Sequence, residues 1–312
     1  MLNIGIENIQ PKVSTEMEVS IEELIDFATA VGIYSDEINQ DFKILDQHIL
    51  AVENLISVLD NLKKHGVTPA LEALVGNQIE LSEASLENFI TEGIQKIIDF
   101  IRGIIKRIKE FFTGSADKQL DKEMKEIRDR TDSQEEETKK QIDDMLNKSL
   151  KVHGVLSILT IDGYSIKSFA DNFLDAYRKW RSAAVRHGDR GKELIDSHLE
   201  TIRSATEAFR NCFDRVDYVF RTRNEINLFL QRANTIKIEL AVKIKLFEIE
   251  IESLSKLISD QNKPMVVRNT EVLSLFKTFV ALLEQGMRGV QSSITILNNA
   301  TRLPGYKRLN AE

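Results

Sequence analysis

Apolar residues between positions 86 and 112 recur at gaps of one, three or four: Leu86, Phe89, Ile90, Ile94, Ile97, Ile98, Ile101, Ile104, Ile105, Ile108, Phe111 and Phe112. That spacing predicts one α-helix about 40 Å long with a single apolar stripe. Glu92, Lys96, Asp99, Arg102, Lys106, Arg107 and Lys109 fall on the other face, the positive charges late, where the helix dipole favours them. Gly114 and Ser115 supply the stop signal. The rest of the chain is expected to be arranged around this helix.

Before it, residues 1–15 show no periodicity and include Pro11, the pattern of an irregular arm. Ser20 with Glu23 has the spacing of a capping box ahead of Ile21, Leu24, Ile25 and Phe27. From Ser35 to Lys64, apolar residues from Ile38 to Leu62 predict a second helix, ended by His65-Gly66. Thr68-Pro69 opens a short helix over Ala70–Val75, closed by Gly76.

After it, residues 115–150 hold 11 acidic and 8 basic residues around sparse apolar positions, which fits either an exposed charged helix or a linker. Residues 148–187 read as a helical hairpin: one arm to about Leu159, a turn at Asp162-Gly163, and a second arm over Ser165–Val185. From Gly191 to Pro264, an apolar seam running from Ile195 through Phe220 to Ile258 predicts one or two long helices of a bundle or coiled coil. Arg221–Glu225 interrupts the seam and marks a bend. A last helix covers Thr270–Asn298, and a short basic tail runs from Pro304.

Composition turns these elements into a fold class. Only four prolines occur, none between 70 and 263, and no glycine occurs between 192 and 285. The expectation is an all-α protein, an elongated helical bundle with long coiled-coil-like helices. It divides into an acidic helical N-terminal segment (1–83), the amphipathic helix (84–114), a charged helix or linker (115–150), the bundle body (151–303) and a tail (304–312). No run of apolar residues is long enough to span a bilayer, and the N-terminus lacks the blocks of a secretory signal. The single cysteine, Cys212, reads as a small core residue.

Charge adds an asymmetry. Residues 1–87 hold 16 acidic and 4 basic residues, a net of −12; taking these from the chain's 49 and 42 leaves 33 acidic and 38 basic, a net of +5. The sign changes where the amphipathic helix begins.

Catalytic chemistry is not found. The sequence has no glycine-rich phosphate loop, no His-Glu-x-x-His helix, no paired cysteines and no nucleophile elbow, and its five histidines are scattered. No cofactor or metal is expected, and the chain reads as a non-enzyme. One cluster has binding character: Arg178, Lys179, Arg181, Arg186 and Arg190 alternate with Tyr177, Trp180 and His187. Cations among aromatics can hold phosphates and stack on bases, so Arg178, Lys179, Trp180, Arg181, Arg186 and Arg190 are candidate DNA contacts. Helical spacing alone also accounts for the aromatics as core residues.

The acidic start, followed by Leu-Glu-x-Phe-Ile…Lys-Ile-Ile-x-Phe-Ile…Lys-Glu-Phe-Phe over 86–112, resembles the internal head and prohead core proteins of large tailed bacteriophages. The resemblance covers roughly residues 15–115. It implies an acidic propeptide that carries the protein into the assembling capsid. A maturation protease would then cut after a Glu that has an aliphatic or small residue two places before it. Leu81-Ser82-Glu83 fits the aliphatic form and Ser85-Leu86-Glu87 the small-residue form, which makes Glu83 and Glu87 candidate processing positions. The same pattern recurs elsewhere, for example at Ile90-Thr91-Glu92; position at the charge reversal singles out these two. The resemblance further implies a location in the virion interior after synthesis in the host cytoplasm. Implied partners are other virion or prohead proteins and packaged DNA; self-association is a separate expectation.

Two rivals start from the same residues. A membrane-active or pore-forming protein would lay Phe89, Ile90, Ile94, Ile97, Ile98, Ile101, Ile105, Ile108, Phe111 and Phe112 on a membrane surface or a partner. A cytoplasmic coiled-coil scaffold would use the long helices alone.

Overall fold

The computed structural model describes residues 21–69, 82–161, 166–259 and 269–302. The expected arm at 1–15, the Ser20 cap, the short helix at 70–75, the Asp162-Gly163 turn and the tail from Pro304 lie outside the described residues.

The chain folds as α1 (Ile21–His65), α2 (Glu83–Thr113), α3 (Ser115–Thr131), α4 (Glu136–Asn147), β1 (Leu150–Leu156), α5 (Lys167–His187), α6 (Lys192–Arg210), β2 (Arg215–Phe220), α7 (Arg223–Ile258) and α8 (Thr270–Thr301). The all-α expectation holds, with one small addition: β1 and β2 form a two-stranded antiparallel sheet.

α2 is the helix that the stripe predicts. Its ten most buried side chains, from Leu86 to Phe112, include eight isoleucines. The N-terminal segment forms one helix, α1, rather than two. Gly66 ends it as expected: its φ of +69° is open to glycine, and its N–H reaches Leu62 O at 2.8 Å. α1 lies along α2, and at the crossing a Cβ on Gly93 would come within 2.6 Å of Val52 Cγ2.

Residues 115–147 are not a linker. α3 buries Leu120, Met124 and Ile127 against the bundle, and α4 buries Ile142 and Leu146. Arginines add to these few apolar side chains. Arg130 reaches Asn298 and Thr301 on α8, and Arg223 binds Asp143 together with the Thr131 and Lys139 carbonyls.

Two expected helices become strands. The first arm of the hairpin expected at 148–187 is β1, and the helical seam expected from Ile195 is cut by β2. Val216, Tyr218 and Phe220 alternate with Arg215, Asp217 and Val219, the two-residue period of a strand. β2 pairs Phe220 with Leu150 and Tyr218 with Val152, and the register shifts around Gly154, whose φ is +74°. The interruption at Arg221–Glu225 is a strand-to-helix boundary, not a bend within a helix. Thr222 Oγ1 accepts from Glu225 N at 3.2 Å, and Glu225 accepts from Arg221 N at 2.7 Å.

The element that touches most of the others is α8, not α2. It contacts α1, α2, α3, α6, α7 and β1. Two glycines make this close packing achievable. A Cβ on Gly289 would sit 2.7 Å from Leu156 of β1, and one on Gly286 would sit 2.6 Å from Phe213. Among the described residues, no helix is long and apolar enough to cross a membrane.

Candidate functional site

The junction between α1 and α2 holds both processing candidates. Ser82 caps α2, its Oγ accepting from Ser85 N at 3.2 Å. Glu83 and Ala84 are exposed in the first turn, where backbone N–H groups have no helical partner. Further into the turn the hold tightens, since Leu86 N–H donates to the Ser82 carbonyl at 3.0 Å and the Leu86 side chain is fully buried. Glu87 is held more firmly: it is half-buried, its carboxylate pairs with Lys63 at 3.0 Å, and its carbonyl accepts from Thr91 Oγ1 at 2.7 Å. Local geometry thus favours the Glu83–Ala84 bond over the Glu87–Asn88 bond as a protease substrate.

The acidic segment is not a free leader. From Tyr34 onward α1 shares the main core: Ile38 and Leu45 are fully buried, and the Tyr34 ring stacks on Phe111 at 3.9 Å. Ion pairs fasten it to its neighbours, Asp41 with Arg107 of α2 at 2.7 Å and Asp46 with Lys277 of α8. At the Tyr34 end, the Glu284 carboxylate of α8 pairs with Arg288 at 2.5 Å, and Arg288 donates to Ser35 Oγ at 3.3 Å. Burial pushes the Glu284 carboxyl above its ordinary range, although Arg288 pulls it back. Burial also raises the Tyr34 hydroxyl, and the Glu284 charge adds to the effect.

The candidate membrane or partner face of α2 turns inward. Ile90, Ile94, Ile97, Ile98, Ile101, Ile105, Ile108 and Phe112 are core residues, covered by α1, α7 and α8. Phe111 packs at the edge of that core, and Phe89 is exposed. In the closed bundle the stripe is therefore not offered to a bilayer, because the same apolar area has already been removed from water by α1.

The basic cluster on α5 is divided by the helix period. Trp180 and Tyr177 are fully buried; Trp180 stacks on Tyr177, and Tyr177 and Phe173 meet rings of α7 and α8. Trp180 cannot stack on a base, which corrects that part of the expected DNA contact. Arg178 and Arg181 converge on Glu250 of α7, at 2.7 and 2.9 Å, and Arg181 also donates to Ser253 at 2.7 Å. These two arginines join α5 to α7. Lys179, Arg186 and Arg190 stay at the surface, Lys179 beside Asp175 at 2.7 Å.

Between α5 and α6 lies an open groove of about 350 Å³, lined by Arg178, Lys179, Ser182, Arg186, His187 and His198 with Leu194 at its edge. Its cations and hydroxyl suit an anion such as a phosphate. Sequence reading missed Glu250 and His198. Glu250 was legible in principle, since Glu248, Glu250 and Glu252 alternate with isoleucines and a 3.6-residue period must turn one of the three inward. His198 carries no local signal, because the turn at Gly188–Gly191 is what brings it opposite α5.

Comparison of the chain with family models, curated proteins and solved structures finds no match.

Proposed function

We propose that this chain is a bacteriophage structural protein of the capsid interior, an internal head or prohead core protein with a non-catalytic role. Its acidic N-terminal part is removed after Glu83 during maturation, and the rest stays with the packaged DNA. The observation that carries the reading is the exposure of Glu83 and Ala84 at the start of α2, where the chain's charge changes sign. Processing there separates an acidic piece, which repels phosphates, from a net-positive remainder. On that remainder, Lys179 and Arg186 at the α5–α6 groove, with Arg190 on the following turn, are among the exposed cations.

The packing of α1 adds a condition. Cutting the Glu83–Ala84 bond leaves α1 lying on α2, so release of the acidic piece has to expose part of the isoleucine stripe. Partners in the capsid, or further copies of the chain, would then cover it. This supports a protein that changes partners on maturation rather than one that merely loses a tail.

The test is the mass and N-terminus of the protein in DNA-filled particles. A new N-terminus at Ala84 is expected. Full-length chain in mature particles rejects the processing, and absence from particles rejects the location.

A further inference from the structure

The chain carries a net charge of −7, yet no carboxylate lines the groove between α5 and α6. Arg178, Lys179, Arg186, His187 and His198 bring nitrogen donors to it, and Ser182 adds a hydroxyl. Helix period explains the segregation. Arg178, Ser182 and Arg186 recur every four residues along α5, Leu194 and His198 do so on α6, and the turn at Gly188–Gly191 sets the two rows opposite each other. Asp196 is two residues from both Leu194 and His198, which places it on the far side of α6.

Several of these donors are unclaimed. Glu250 takes Arg178 and Asp175 takes Lys179. Among the described residues, the side chains of Arg186, His187, His198 and Ser182 have no hydrogen-bond or ion-pair partner. Local charge then selects the ligand. Arg178, Lys179, Arg181 and Arg186 bring four positive charges, and Glu250 and Asp175 return two negative ones. The turn adds Asp189, Arg190, Lys192 and Glu193, which cancel. An excess of two positive charges matches a phosphate monoester, at about −1.5 to −2 near neutral pH, better than the single charge of a phosphodiester in DNA.

We propose that the α5–α6 groove binds a dianionic phosphoryl group, either inorganic phosphate or the monoester of a small organic molecule. Arg186 offers its planar fork to two phosphoryl oxygens. His187, His198 and Ser182 serve the others, since an imidazole N–H donates whether or not the ring is charged. The volume, about 350 Å³, is at the small end of ligand sites and suits one such group with a modest body attached. Leu194, 45% exposed at the edge, gives that body an apolar contact. This site requires neither cleavage after Glu83 nor a place in a capsid.

Calorimetric titration of the full chain in phosphate-free buffer tests the site, with about 0.15 M chloride to screen loose surface attraction. Inorganic phosphate and adenosine monophosphate should each bind saturably, one per chain, and compete with each other. Tighter binding of the nucleotide assigns an organic phosphate, and equal binding assigns the ion. Arg186→Ala should weaken both about tenfold, the loss of one charge-assisted contact. The melting temperature of the ligand-free protein should not change, because Arg186 is exposed and unpaired. His198→Ala should weaken binding by a smaller factor. Lys140→Ala, which removes an exposed charge on α4, should leave it intact. Absence of saturable binding, an Arg186→Ala variant that binds like the wild type, or an equal loss in Lys140→Ala would each overturn the proposal. So would a duplex lacking terminal phosphates that displaces the nucleotide and depends equally on Arg186, since the groove would then be a DNA contact.

Discussion

At the scale of single residues, the most consequential groups are acids held inside the bundle. Glu284 is almost fully buried and has its carboxyl raised from an ordinary value of 4.5. A raised acid binds its proton more tightly in the folded than in the unfolded state. Its contribution is therefore fully present below the unfolded value and is lost as pH rises through the folded one. The wild type should gain melting temperature relative to Glu284→Gln as pH falls from about 7 to about 5. A difference between the two that does not change with pH would contradict this assignment. Glu250 is the second such group. Glu250→Ala leaves Arg178 and Arg181 without their shared carboxylate, and should cost roughly 3 kcal/mol in urea unfolding. The same change frees Arg178 beside the α5–α6 groove, so anion binding there should tighten even as stability drops.

At the scale of elements, close approach decides which helices are neighbours. Gly289 brings β1 onto α8, and the Leu156 N–H donates to Ser293 Oγ one turn further on, at 3.0 Å. Gly289→Ala forces Leu156 away and should cost about 1–3 kcal/mol. Gly103 is the control: a Cβ there meets nothing within 4 Å, and Gly103→Ala should instead stabilise by up to about 1 kcal/mol. Midpoints of denaturant unfolding compare the two directly. The pairing of α1 with α2 is of the same kind but longer. After cleavage at Glu83 by a Glu-specific protease, the N-terminal fragment should co-elute with the body in native buffer and separate in denaturant. Immediate separation in native buffer would mean that the α1–α2 contact is far weaker than its buried isoleucines imply.

At the scale of the whole molecule, charge is the variable that the proposed processing would change. The chain carries −7 overall, while residues 84–312, left by the proposed cut after Glu83, carry 38 basic against 34 acidic residues. DNA retention by the processed protein should exceed that of the full chain and fall steeply with added salt, as counterion release requires. Filter binding across a salt series measures it; equal, salt-insensitive retention by both forms would show that the charge change has no bearing on DNA.

Much of this was legible in the residues, and the parts that were not share a cause. The period of 86–112 identified α2 and its apolar face, though not what covers that face, and His65-Gly66 identified the end of α1. Scarcity of proline and glycine identified the all-α class. The strands escaped because Val216, Tyr218 and Phe220 also satisfy a loose helical seam, and six residues are too few to separate the two periods. The position of α8 at the centre left a trace, since only Glu271, Lys277, Glu284 and Arg288 are charged in its 32 residues. That trace shows a helix buried on most sides, not what surrounds it.

What the sequence determined by itself is local: period, caps, breakers and the place where charge reverses, all read from residues a few positions apart. Only the tertiary structure decided that the acidic segment lies on the isoleucine stripe, that Trp180 faces the core while two neighbouring arginines hold a buried glutamate, and that Ile238, Val242 and Ile249 of α7 are exposed. Those outcomes depend on which faces meet. Apolar faces of similar period are interchangeable partners until glycine approaches, ion pairs and chain connectivity choose among them.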